Sequence, residues 1–127
     1  WKTVPWAIFT DPEVAGVGLT EKAAVEAGLE VKRSRFSFGA LGRALAAGEA
    51  EGFVRIVSDA KTGLVLGVQM VGPEASNLIS EAALAIEMGA TVEDIALTIH
   101  PHPTLPEALM EAAEVAAGRP IHQMKGL

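Results

Sequence analysis

Cysteine is absent from this sequence of 127 residues, and basic residues are scarce. Without cysteine the chain can hold neither a disulfide framework nor a thiol nucleophile. The 10 Lys and Arg residues face 16 Asp and Glu residues, which gives a formal net charge of −6. Because affinity for nucleic-acid phosphates comes from clustered Lys and Arg, this balance argues against a nucleic-acid-binding protein.

Long apolar runs are also missing. No stretch approaches the roughly 20 apolar residues that span a bilayer, and no signal-peptide pattern opens the chain, so a cytoplasmic protein is expected. The glycine-bounded connection 39–48 has neither Gly-x-Gly-x-x-Gly spacing nor a P-loop lysine, so it is not typical of a phosphate-binding loop. The first residue is Trp1 rather than Met, which suggests an excised or processed product.

Half of the residues are apolar, which is typical of a folded globular domain, and the length predicts one domain over residues 1–127. Short apolar runs bounded by Gly, Pro and Asp predict strands, and longer runs of helical period predict helices. Predicted strands cover 5–10, 15–19, 31–38, 52–58 and 64–71; predicted helices cover 20–27, 73–88, a short segment after 91, and 105–117. Strands first and helices last indicate an α+β domain: an antiparallel sheet of about five strands with helices packed on one face.

The segment from His100 to Glu107 carries the main chemical signal, because it holds two of the three histidines and three of the seven prolines. Pro101 and Pro103 prevent a helix or a central strand, so we predict a stiff arm that presents imidazole rings. Thr104 and Glu107 match the spacing of a helix-capping box. The Glu107 carboxylate could also accept a proton from the His102 ring, fix its tautomer, and make a general acid–base near neutral pH.

Two alternatives stay open from the residues alone. Glu107 could serve only as a capping residue, with no catalytic role. His100 and His102 with a nearby carboxylate could bind zinc, although a third ligand is not evident. We therefore predict no metal site, and we predict that one His102 ring nitrogen lies within hydrogen-bond reach of Glu107. The His102–Pro103 bond is predicted to be cis, because a tight turn joins the arm to the helix.

The segment 98–107 resembles the His-x-His-Pro-Thr-Leu-x-Glu motif of the dihydrolipoamide dehydrogenases, a group of flavin-dependent pyridine nucleotide-disulfide oxidoreductases. Residues 9–13 and 17–21 resemble the entry to the dimerisation domain of that family. Residues 42–44 and 81–89 match further blocks in the expected order. The resemblance therefore covers nearly the whole chain and implies the fold of an FAD/NAD-linked reductase dimerisation domain. The departures are small: Pro101 replaces a frequent Ala, and Leu41 replaces a polar residue.

The resemblance implies roles for three residues. His102 would be the catalytic acid–base of the thiol–disulfide step, and Glu107 its orienting partner. The His102 backbone carbonyl, next to Pro103, would hydrogen-bond the flavin of the partner subunit. FAD and NAD would bind to domains of the full-length parent that lie outside this chain, as would the redox disulfide. The isolated chain is therefore expected to bind neither cofactor and to be inactive.

The resemblance also implies partners: a second copy of the same chain, and the subunit-binding domain of an acyltransferase from a 2-oxoacid dehydrogenase complex. Apolar surface on the helix 73–88 and on the final helix favours the homodimer. An acidic face that includes Glu87 or Asp94 is the candidate docking surface for a basic domain. Two alternatives remain: a dimerisation or docking module without its own activity, and the same domain of a glutathione- or mercuric-reductase-like enzyme. Glutathione-reductase-like enzymes have a second acid where this chain has Ala108.

Overall fold

The computed structural model describes residues 3–124, and it confirms the predicted α+β class with a five-stranded antiparallel sheet. The expectation drawn from Trp1 lies outside this range. The strands are β1 (Trp6–Ile8), β2 (Glu13–Gly18), β3 (Val31–Ser37), β4 (Phe53–Asp59) and β5 (Val65–Gly72). The helices are α1 (Glu21–Glu26), α2 (Gly42–Ala46), α3 (Ala75–Glu87), α4 (Val92–Leu97) and α5 (Glu107–Ala116).

The strand order is β1-β2-β5-β4-β3, which places the apolar β5 at the centre of the sheet, as its sequence predicts. The β4–β5 hairpin is closed by Asp59, whose carboxylate accepts hydrogen bonds from the amides of Lys61 and Thr62 at 2.9 and 2.8 Å. These bonds hold the pKa of Asp59 below its ordinary value. Gly63 supplies the positive φ of 74° that the loop requires.

Successive residues of β3 show which helices cover which face of the sheet. Arg33 hydrogen-bonds Glu21 of α1, whereas the hydroxyl of Ser34 donates to the Ala112 carbonyl of α5 at 2.8 Å. Because neighbouring strand residues point to opposite faces, α1 lies on the face opposite α5. The predicted packing of helices on one face therefore does not extend to α1. The main core lies between the sheet and the C-terminal helices, and its largest buried side chains are Phe36, Phe38, Ile56, Met70 and Leu109.

Two local predictions need correction. The connection 39–48 contains a short helix, α2, which its bounding glycines did not indicate. Helix α5 begins at Glu107 after Pro106, so Thr104 is not its N-cap. The Thr104 hydroxyl instead donates to the Pro101 carbonyl at 2.6 Å, a local side-chain-to-backbone bond that competes with capping.

The exposed apolar surface lies on α3 but not on α5. Leu84 and Met88, one turn apart on α3, are 63% and 74% exposed. The apolar residues of α5 pack instead inside the chain, and Ala108, Leu109 and Ala112 are buried. The expected surplus of apolar surface on the final helix was therefore wrong. Among residues 3–124, no helix is long and apolar enough to cross a membrane.

The start of α4 gives a prediction about acid stability. The Asp94 carboxylate accepts hydrogen bonds from the amide and the hydroxyl of Thr91, at 2.7 and 2.8 Å, and these hold the pKa of Asp94 below its usual 3.8. A depressed carboxyl pKa stabilises the fold above the unfolded-state pKa, and this stabilisation is lost as pH falls through the folded-state pKa. We expect Asp94→Asn to lower the melting temperature at pH 7.

The same substitution should have little effect at a pH below the folded-state pKa of Asp94, where both states carry a protonated carboxyl. Circular dichroism melts at the two pH values measure this difference. Asp11→Asn is the matched control, because the structure shows no hydrogen bond to the Asp11 side chain within the described residues. An Asp94→Asn effect of equal size at both pH values would contradict the role of the ionised carboxylate.

Candidate active site

His102 and Glu107 form a hydrogen-bonded pair at the junction of the arm and α5. The distance from His102 Nδ1 to Glu107 Oε1 is 2.9 Å. The His102 side chain is 71% exposed, whereas the Glu107 side chain is 10% exposed. The predicted contact is therefore present, and the His102–Pro103 bond is cis, as predicted. An exposed ring is thus held by a carboxylate whose own position is fixed by burial.

Glu107 also binds the backbone of the arm. Its second oxygen, Oε2, accepts a hydrogen bond from the Thr104 amide at 2.8 Å. The sequence left two roles open for Glu107, a capping residue and a partner of His102. Its two oxygens bond the Thr104 amide and the His102 ring at once, although Thr104 is not the N-cap of α5. The same carboxylate therefore fixes both the backbone of the arm and the His102 ring.

The pairing determines which nitrogen of the His102 ring can do chemistry. An ionised carboxylate only accepts hydrogen bonds, so Nδ1 must carry the proton in this pair. In the neutral ring, Nε2 then has a free lone pair. Within residues 3–124, Nε2 makes no hydrogen bond, and the His102 side chain is largely exposed. The arrangement can take a proton at Nε2 and return it, which is general acid–base chemistry.

His100 is placed quite differently from His102. Its side chain is only 6% exposed, and its Nε2 lies 2.6 Å from Oε1 of Glu81 on α3. Its Nδ1 lies 2.8 Å from the Thr98 carbonyl. The two histidines therefore contact different carboxylates. Among the described residues no three His, Cys, Asp or Glu side chains are grouped as metal ligands.

A third histidine–carboxylate pair joins the C-terminal tail to α5, and the sequence did not predict it. Glu111 is buried, and its Oε1 lies 2.5 Å from Nδ1 of His122. The helical pattern of 105–117 predicted only that Glu111 lies on a helix. The one available signal was an acidic residue in the middle of an otherwise apolar helix face, which requires a partner if it is buried.

Removing the His122 ring should destabilise the fold, because the Glu111 side chain is only 3% exposed and would lose its closest hydrogen bond. We expect His122→Ala to lower the free energy of unfolding by about 1–3 kcal/mol. Urea denaturation measures this change. The double variant Glu111→Leu/His122→Ala should recover much of the loss, since it removes the buried carboxylate as well. An unchanged stability in His122→Ala would show that the pair contributes nothing.

A family model and the sequences of known proteins place this chain in the same family. Residues 4–113 match the model of the pyridine nucleotide-disulphide oxidoreductase dimerisation domain. A dihydrolipoyl dehydrogenase of Thermus scotoductus is 60% identical over 119 residues, which is 94% of this chain and 26% of the relative. A dihydrolipoyl dehydrogenase of Haloferax volcanii is 58% identical over 123 residues, 97% of this chain and 26% of the relative. The chain thus spans about a quarter of the length of these relatives.

Solved structures share the fold. The crystal structure of LpdA from Mycobacterium tuberculosis superposes with a TM-score of 0.82 at 32% identity, over 87% of this chain and 24% of that one. An HOCl-induced flavoprotein disulfide reductase of Escherichia coli, RclA, gives a TM-score of 0.85 at 24% identity, over 90% of this chain and 26% of that one. Because the identity with RclA is only 24%, this similarity supports the shared fold and nothing more.

Proposed function

The chain belongs to the pyridine nucleotide-disulphide oxidoreductase dimerisation-domain family, and from this membership we propose that it supplies the His102–Glu107 acid–base pair of a dihydrolipoamide dehydrogenase. The observation that carries the proposal is the 2.9 Å hydrogen bond between an exposed ring and a buried carboxylate. The identity of 58% and 60% with dihydrolipoyl dehydrogenases favours dihydrolipoamide as the substrate. Here "full-length protein" means a protein of the length of these relatives.

In the proposed reaction, His102 handles the proton of the substrate thiol. Nε2 takes the proton when the thiol becomes the attacking thiolate, since the thiolate is the nucleophile in thiol–disulfide exchange. Glu107 stabilises the resulting imidazolium through Nδ1 and keeps the ring from turning. The proton then returns from Nε2 to a leaving thiolate. General acid–base help of this kind typically contributes about 100- to 10,000-fold in rate.

The arm has the features needed to approach a flavin. The His102 backbone carbonyl accepts no hydrogen bond within residues 3–124, and both His102 and Pro103 are exposed, so the carbonyl is available to a donor on a flavin ring. FAD, when bound in the full-length protein, would take up the pair of electrons from the thiols. We place the redox disulfide and the FAD- and NAD-binding domains outside this chain, which has no cysteine.

We further propose that the pair works in the active site of a partner subunit. His102 lies on an exposed arm, and the arm lies beside the exposed apolar surface of α3. Ile99, next to His100, is 94% exposed. The surface formed by Leu84, Met88 and Ile99, here called the α3–arm surface, is our candidate contact with a second copy of the chain. A dimer through this surface would present each arm to the other subunit.

The assay that tests the function is NAD-dependent oxidation of dihydrolipoamide by the full-length protein. The same protein is also assayed for reduction of oxidised glutathione by NADPH and for reduction of mercuric ion by NADPH. These two assays test the glutathione- and mercuric-reductase-like alternatives. Steady-state turnover of dihydrolipoamide supports the proposal. Turnover of one of the other two substrates without turnover of dihydrolipoamide would assign the domain to that reductase instead. A protein that turns over none of the three would correspond to a dimerisation or docking module without this chemistry.

A second proposed partner is the basic subunit-binding domain of an acyltransferase. Glu87, exposed at the end of α3, has no partner within the described residues, whereas the Asp94 carboxylate already accepts hydrogen bonds from Thr91, the N-cap of α4. We expect Glu87→Lys to weaken binding to such a domain by about 2- to 10-fold at low salt, because rim charges contribute modestly. Calorimetry at low and high salt measures this. Binding that does not change with salt would contradict an electrostatic contact.

A further inference from the structure

The arm between α4 and α5 has no helix or strand of its own, yet one of its side chains is almost completely buried. The His100 ring is 6% exposed, although its neighbour Ile99 is 94% exposed and His102 is 71% exposed. Burial of a polar ring costs free energy unless its nitrogens are hydrogen-bonded. Both His100 nitrogens are satisfied, one by Thr98 and one by Glu81.

The contacts fix the His100 ring from both sides. The Thr98 carbonyl can only accept, so Nδ1 must donate to it. A proton must therefore lie between Nε2 and the Glu81 carboxylate for their 2.6 Å contact to be a hydrogen bond. The ring cannot flip without losing one bond or the other.

The bond between His100 and Glu81 joins the arm to α3, whereas the other side-chain hydrogen bonds of the arm described below lead to α4 and α5. Thr98 donates to the Asp94 carbonyl of α4, and Thr104 and His102 both contact Glu107 of α5. Among the described residues, His100–Glu81 is the side-chain hydrogen bond that ties the arm to α3. It therefore sets the position of the arm relative to the α3–arm surface.

We propose that Glu81 and His100 are positioning residues that hold His102 at the place where it meets the partner's substrate. This role rests on the proposed function of His102. Glu81 lies on the same stripe of α3 as Leu84 and Met88, three and seven positions later. The Glu81 carboxylate thus links the face of α3 that carries Leu84 to the arm, and the distance between the substrate and His102 depends on it. A misplacement of about 1 Å can cost on the order of 100-fold in rate.

The experiment uses the full-length protein with Glu81→Ala, Glu81→Gln and the control Glu49→Gln, an exposed glutamate in the loop after α2. We expect Glu81→Ala to lower kcat for dihydrolipoamide by about 10- to 100-fold. Glu81→Gln should recover part of the loss, because the amide oxygen can still accept from Nε2. NADH oxidation by an artificial dye, which needs no proton transfer from a thiol, should be unchanged in all three.

A double-variant cycle separates positioning from a general structural effect. If Glu81 acts through His102, adding Glu81→Ala to His102→Gln should cause little further loss. Two losses that multiply, or an equal loss of dye activity, would overturn the positioning role. If Glu81→Ala does not fold, the same cycle is measured with Glu81→Gln in its place, and the same outcomes support or overturn the positioning role. His102→Gln with full turnover would refute the proposed function, whereas normal turnover in both Glu81 variants, with turnover lost in His102→Gln, would refute the positioning role alone.

Discussion

Replacing His102 with glutamine is expected to lower turnover of dihydrolipoamide in the full-length protein by about 100- to 10,000-fold. Glutamine fills similar space and can still meet Glu107, but its side chain cannot take a proton at the position of Nε2. The Glu107 carboxylate keeps its bond to the Thr104 amide, so the arm should stay in place. Stopped-flow reduction of the flavin by dihydrolipoamide measures the step directly, and circular dichroism checks the fold.

Glu107→Gln should have a smaller effect on rate than His102→Gln. The amide oxygen of the new glutamine can still accept the hydrogen bond from the Thr104 amide. It carries no negative charge, however, so it cannot stabilise an imidazolium in the same way. His122→Gln is the matched control for His102→Gln, because His122 is also an exposed ring paired with a buried glutamate on α5. A Glu107→Gln variant with unchanged turnover would restrict Glu107 to the capping role. Full turnover in His102→Gln would rule out the acid–base pair.

The second large effect is expected from charges in the α3–arm surface. Leu84 and Met88 are 63% and 74% exposed on one face of α3. If this face meets its copy across a two-fold axis, Leu84→Asp/Met88→Asp buries four carboxylates without partners, so the dimer should dissociate. We expect more than about 100-fold loss of turnover, since a monomer receives no histidine from a partner. Light scattering and the activity assay are done on the same samples.

Val25→Asp is the control for this variant, because Val25 is 57% exposed on α1, which lies on the opposite face of the sheet. It should leave both mass and turnover unchanged. A Leu84→Asp/Met88→Asp variant that stays dimeric would place the interface elsewhere. A monomer that keeps full turnover would show that His102 acts within its own subunit.

The contacts that the sequence predicted are local in the chain. His102 and Glu107 are five positions apart and separated by a turn, so their pairing could be predicted from proline restrictions and capping spacing. The central place of β5 followed from its apolar residues. The start of α5 was wrong by two residues, because Thr104 bonds backward to Pro101 instead of capping the helix.

The contacts that the sequence did not predict are long-range and polar. Glu81 meets His100 across 19 positions, and Glu111 meets a tail histidine, His122, 11 positions later. Periodicity places a glutamate on a helix face, but it does not show whether another segment covers that face. The helical pattern of 105–117 therefore did not show that Glu111 is buried or that its carboxylate contacts His122. Only the packed chain shows which carboxylates have histidine partners.

The most direct measurement of subunit sharing is complementation in mixed dimers. One subunit carries His102→Gln, and the other has serine in place of the redox cysteines that we place outside this chain. Each variant alone should be inactive. If His102 serves the partner's site, a purified mixed dimer has one complete site and about half of the activity of the parent dimer. If His102 serves its own subunit, both sites lack one component, and a mixed dimer without activity would contradict the account.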